Sequence, residues 1–157
     1  MTEGLPPDAA WMRACAEAAA LIFDLGANTG YTALWMLQAP AVQEVVLVEA
    51  NPRALALAAE HLILNGESLR ARFVAGFAGA EAGRQVQFYT DQTSTRGSLY
   101  RQHEKDAFAP NQAITIPTLT VDGLCQQLGR VPQFIKVDVE GAEVPALQGS
   151  RTCAPPA

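Results

Sequence analysis

Apolar residues in this chain gather in short unbroken runs, and between the runs lie stretches with helical spacing. Pro6 to Ala20 opens as an Ala-rich helix, with Asp8 placed to cap it and Trp11, Met12 and Cys15 recurring at helical spacing. Ala19 to Leu25 follows as an apolar run, the pattern of a strand buried on both faces of a parallel sheet. Gly26-Ala27-Asn28-Thr29-Gly30 is a tight turn, leading into a helix from Tyr31 to Gln38 that Pro40 stops. Val45 to Val48 predicts a second strand ending in Glu49. Asn51 and Pro52 then cap and open a helix that runs to Leu64 and ends at Asn65-Gly66. Ala71 to Ala75 reads as a third strand. This alternation of strand and helix specifies an α/β fold with a parallel sheet and right-handed crossovers.

The middle of the chain breaks the alternation. Gln85 to Thr90 alternates as a strand and Ile114-Thr115-Ile116 is another, while the stretch between them, residues 91–111, is polar and loop-like. Val121 to Leu128 predicts a short helix, Phe134 to Asp138 a fourth buried strand, and Gly141 to Leu147 a last helix closing at Gly149. Arg151 to Ala157 has no strand pattern. A sheet that stops after a fourth strand is expected to leave one edge and one helix face uncovered, a surface for self-association.

At 157 residues the chain suits one domain, spanning 1–157 with an N-terminal helix in 1–18 and a substrate-side loop at 91–111. A hydrophobic share of 49% against 17% charged argues for a packed core and against disorder. The net charge of −5 gives no long-range attraction to phosphate backbones, so nucleic acid is not the expected partner. No segment reaches the roughly 18–20 apolar residues of a membrane span. The N-terminus lacks the basic region of a secretory signal, so a soluble, cytoplasmic protein is expected. Cys15, Cys125 and Cys153 are scattered and odd in number; they read as reduced thiols, not as a disulfide framework, and no metal site is expected.

Chemistry concentrates in three segments. In Ile22 to Tyr31 a strand ends in Asp24, and Gly26, Asn28 and Gly30 shape a turn that opens a helix with unpaired N–H groups. A dinucleotide fingerprint needs glycine where Asn28 stands and has no use for Asp24, whereas an acid before the turn suits a cationic ligand such as S-adenosylmethionine. Glu49 follows Gly26 by 23 residues, the place from which a carboxylate accepts both hydroxyls of an adenosine ribose. In Lys136-Val137-Asp138-Val139-Glu140-Gly141-Ala142-Glu143, Asp138 and Glu140 flank the end of the fourth strand and are placed to orient or deprotonate a substrate hydroxyl. The other reading of this segment is that Glu140 and Glu143 cap the helix while Lys136 neutralises them, and it is the reading favoured for Glu143. His61 and His103 lack the spacing of a metal site or a triad and read as non-functional. Trp11, Met12, Trp35 and Met36 read as packing. Arg96, Arg101 and Lys105 make the central loop locally basic, as a lid over a pocket would be.

Together, Asp24 to Tyr31, Val48 to Pro52 and Lys136 to Glu143 resemble the FkbM family of S-adenosylmethionine-dependent methyltransferases. Leu62 to Gly66, Gly97-Ser98-Leu99 and Thr118 to Leu124 are similar too, so the resemblance covers about Leu21 to Gly149. It implies a Rossmann-like class I methyltransferase sheet, mostly parallel. Asp24, Gly26, Asn28 and Gly30 would line the methionine end of the cofactor, Glu49 would hold the ribose, and Phe77 or Ala78 would lie near the adenine. It implies O-methylation of a hydroxyl on a sugar or natural-product type small molecule, with Asp138 or Glu140 as the orienting group or base. Family members continue past Gly149, so the chain resembles a C-terminally truncated member lacking the last strands. Two alternatives stand beside this reading: a nicotinamide-dependent oxidoreductase, which Asn28 disfavours, and a non-catalytic cofactor-binding fragment.

Overall fold

The computed structural model describes residues 7–90, 97–98, 112–139 and 141–151, with backbone alone at 97–98 and 112. Residues 152–157 and most of the 91–111 stretch, with His103, Arg96, Arg101 and Lys105, lie outside the described residues, as does Glu140.

In chain order the elements are α1 (Pro7–Ala16), β1 (Leu21–Leu25), α2 (Tyr31–Leu37), β2 (Glu44–Glu49), α3 (Pro52–Leu64) and, after a 3-10 turn, β3 (Ala71–Ala75). Then come β4 (Phe77–Ala78), β5 (Gln85–Thr90), β6 (Gly97–Ser98), β7 (Gln112–Leu119), α4 (Val121–Leu128), β8 (Phe134–Val137) and α5 (Glu143–Gln148). The main sheet has the order β3-β2-β1-β8, and every pairing in it is parallel. β1 lies inside the sheet and all five of its residues are buried, as its apolar run requires. β8 is an edge strand and only Lys136 on it is buried, while Val144 and Leu147 on α5 are exposed.

Alternation along β1 divides the core. Ile22 joins Ala33 and Met36 of α2 and Ala58 and Leu62 of α3, with Met12 of α1 packed against them. Leu21, Phe23 and Leu25 point to the other face, toward Val121, Leu124 and Cys125 of α4 and Ala146 of α5. Helices therefore cover both faces of the sheet. Trp11 departs from the packing expected of it: the residue is 70% exposed, because helical spacing alone does not say which flank of α1 meets the sheet. Cys125 is disulfide-bonded, which corrects the expectation of three reduced thiols; spacing along a chain says nothing of closeness in space. Cys15 is free and exposed.

A second sheet, of order β4-β7-β5-β6, grows between β3 and α4. β5 and β7 pair antiparallel from Gln85↔Pro117 to Thr90↔Gln112. Phe77, Phe88 and Ile116 of this sheet gather with Ala142, and Ala50 and Val139 pack against the cluster. Ala50 follows β2 and Val139 follows β8, so the cluster meets the main sheet at the carboxyl ends of its strands. Local caps set the helices around it: Asn51 accepts a hydrogen bond from the Arg53 N–H at 3.0 Å with Pro52 at the first position, and Thr120 accepts one from the Gly123 N–H at 3.0 Å.

Candidate active site

In the order β3-β2-β1-β8 the chain runs outward from β1 in both directions. Open α/β sheets bind ligands at such a switch point, outside the carboxyl ends of the strands. The candidate residues gather there. Asp24 and Gly26 come from the end of β1, Glu49 from the end of β2, and Asp138 from the end of β8.

Asp24 is fully buried. The parallel register sets it beside Lys136, and their side chains form an ion pair with Asp24 Oδ1 3.0 Å from Lys136 Nζ. That oxygen has an ion-pair partner and no hydrogen bond. The other oxygen, Oδ2, accepts from the Thr32 hydroxyl on α2 at 2.5 Å. Lys136 also donates to the Gly26 carbonyl at 2.9 Å and lies 3.6 Å from Asp138 Oδ2. The charge of Asp24 is thus met inside the protein, by a lysine that ties the end of β1 to the end of β8. Lys136 does not act as the neutraliser of Glu143. Glu143 is held by backbone N–H groups, its own and that of Gly141, which keep its carboxyl below the usual carboxylate range.

Glu49 bridges two elements. Its Oε2 accepts from the Asn28 N–H in the turn at 2.8 Å, and its Oε1 accepts from the Asn51 N–H at the start of α3 at 2.8 Å. Burial pushes its carboxyl above the ordinary glutamate value, against the lowering effect of those two bonds, and the negative charge of Asp24 adds to the rise.

The glycines of the turn face protein on the side where a Cβ would stand. At Gly26, with φ +75°, a Cβ would come within 1.8 Å of the Asp138 carbonyl oxygen. At Gly30, with φ +80°, it would lie 3.0 Å from Leu62 Cδ2 and 3.1 Å from Ala58 Cβ. Between them Asn28 holds a left-handed φ of 48°, a region that asparagine enters more readily than other non-glycine residues.

Phe77 is buried in the cluster at the strand ends, its ring 6.5 Å from that of Phe88. Asp138 is solvent-exposed, its N–H donating to the Leu25 carbonyl at 3.0 Å. Lys136, Thr32 and Asn51 were not legible as site residues, since only the register and the packing of α2 and α3 bring them in. The same holds for His61, whose Nδ1 lies 2.7 Å from the Thr29 carbonyl oxygen. Among the described residues no group of three or more His, Cys, Asp or Glu could hold a metal ion. No described helix is long and apolar enough to cross a membrane. A cavity of about 580 Å³ beside Ala80, Thr120 and Arg151 touches none of the candidate residues.

The family model described as the methyltransferase FkbM domain matches residues 24–154. Among solved structures, an FkbM methyltransferase from Methylobacillus flagellatus superposes with a TM-score of 0.58 and 18% identity, over 86% of this chain and 30% of that one. It shares the fold, and this chain spans 30% of its length. TrmK of M. capricolum, in complex with S-adenosylhomocysteine, gives 0.44 and 14% identity over 47% of this chain and 33% of that one. A putative O-methyltransferase from Klebsiella pneumoniae gives 0.42 and 22% identity over 48% and 36%. No curated protein matches the sequence.

Proposed function

The chain belongs to the FkbM methyltransferase family, and from that premise we propose that it transfers a methyl group to a hydroxyl oxygen of a sugar or natural-product type small molecule. The cofactor is S-adenosylmethionine, which supplies a methyl group on a sulfonium that an oxygen nucleophile can displace in line.

The residues at the strand ends suit this cofactor. Each oxygen of Glu49 accepts one backbone N–H and keeps a further acceptor position, so the pair can take both ribose hydroxyls. The apolar cluster of Phe77, Ala50, Val139 and Ala142 offers a surface for the adenine ring beside it. Gly26, Asn28 and Gly30 would line the methionine end. Asp24 would act from beneath them, since its charge already faces Lys136, and it holds the turn through that lysine and Thr32. Asp138, exposed and anchored to β1 through its N–H, is the group we assign to orient or deprotonate the acceptor hydroxyl. Glu140 remains the second candidate for that role.

One observation carries the reading: the doubly anchored carboxylate of Glu49 at the switch point of a parallel sheet. Isothermal titration calorimetry of the 157-residue chain with S-adenosylhomocysteine tests it. Saturable one-to-one binding is expected, weakened by Glu49→Ala at least about tenfold through loss of two charge-assisted hydrogen bonds. A folded chain that does not bind refutes the methyltransferase reading. With an acceptor found by screening, Asp138→Asn is expected to keep the cofactor affinity and lower turnover about a hundredfold. Unchanged turnover would remove Asp138 from that role.

A further inference from the structure

We propose that His61 is a positioning residue for the cofactor site, acting through the Thr29 carbonyl to hold the turn in the shape that aims Asn28 at Glu49. The proposal rests on the methyltransferase reading above.

Ala58, His61 and Leu62 stand at i, i+3 and i+4 on α3 and so share one face of that helix. The face meets three consecutive residues of the turn and of the start of α2. Ala58 and Leu62 close around Gly30, so that a Cβ there would be tightly packed, 3.0 Å from Leu62 Cδ2 and 3.1 Å from Ala58 Cβ. The Tyr31 ring lies 5.1 Å from the imidazole, tilted by 38°. His61 Nδ1 reaches the Thr29 oxygen at 2.7 Å; a carbonyl only accepts, so Nδ1 carries the hydrogen and donates it.

Thr29 sits between Asn28 and Gly30, both with positive φ. The left-handed region is a minority conformation even for asparagine, which enters it more readily than other non-glycine residues, and fixed neighbouring peptides keep it populated. Glu49 fixes the peptide on the N-terminal side of Asn28 by accepting its N–H. His61 holds the carbonyl of the next residue. Both restraints lead back to α3, because Asn51, the residue that caps it, binds the other oxygen of Glu49. The helix therefore grips the turn at two places, and releasing one frees Asn28 to rotate its N–H away from the carboxylate meant for the ribose.

The test is calorimetric titration with S-adenosylhomocysteine of the wild type, His61→Ala, His61→Asn and His61→Gln, with a thermal midpoint for each. The amide nitrogen of asparagine can stand near Nδ1, whereas that of glutamine reaches toward Nε2. His61→Ala is expected to raise Kd about tenfold, the scale of one lost hydrogen bond. His61→Asn should stay within about threefold of wild type and His61→Gln should follow alanine. Wild-type affinity in His61→Ala overturns the proposal. So do equal losses in asparagine and glutamine variants that track the fall in thermal midpoint, since those mark a packing role. If the alanine variant does not fold, the asparagine–glutamine comparison decides alone. A wild-type chain that fails to bind ends the methyltransferase reading and this proposal with it; normal wild-type binding with unaffected variants ends only this one.

Discussion

Asp24 and Lys136 illustrate how a buried charge at the strand ends can be met within the protein. Each ion loses several kcal/mol of hydration on burial, and their contact recovers it only while both are present. Lys136→Met leaves the Asp24 carboxylate buried without its partner and is expected to cost about 3–5 kcal/mol in urea unfolding. Asp24→Asn combined with Lys136→Met should recover most of that loss. Additive effects of the two substitutions would show that the pair is not coupled. At this scale the sequence was half legible. Asp24 and Glu49 announce themselves as acids ending apolar runs, and both lie at the carboxyl ends of strands. The partner of Asp24 could not be read, because Lys136 stands far along the chain and only the strand register makes them neighbours.

Elements were the most readable level. β3, β5 and α4 occupy the spans that their patterns predict, and α3 begins and ends where Asn51-Pro52 and Asn65-Gly66 place it. Pairing was not readable: the alternation in Gln85 to Thr90 marks a strand but does not say that it joins β7 in a separate sheet. Nor did the turn reveal why its first glycine is needed. Gly26 and Gly66 share nearly the same φ, +75° and +74°, yet a Cβ at Gly66 meets nothing within 4 Å while one at Gly26 runs into the Asp138 carbonyl. Gly66→Ala is therefore expected to cost about 1 kcal/mol, the conformational term alone. Gly26→Ala should exceed about 3 kcal/mol, because β1 and β8 must separate to admit the methyl group. Equal costs in chemical denaturation would mean that the close approach of the two strands does not matter.

At the scale of the whole molecule, the parallel sheet and the added mixed sheet meet at one end, and the candidate residues lie where they meet. The parallel sheet was legible from the alternation of runs and stripes, and the family from three short motifs. How β4 to β7 close on the strand ends was not, since that depends on contacts between segments whose separations follow no local rule. One pairing in the sheet has a temporal consequence. Ile22 lies beside Phe134, 112 positions later, so β1 cannot receive its second neighbour until most of the chain has left the ribosome. Until then Asp24 has no lysine beside it, and the acid resists being drawn into an apolar layer. Completion of the sheet and assembly of the site are then a single late event. Pulse-labelled hydrogen exchange during refolding should show the amides of Gln133 and Asp138, which donate to the Leu21 and Leu25 carbonyls of β1, protected in the same slow phase, later than the Gly26 amide that donates to Val48 of β2. Protection of Gln133 and Asp138 as early as that of Gly26 would contradict it.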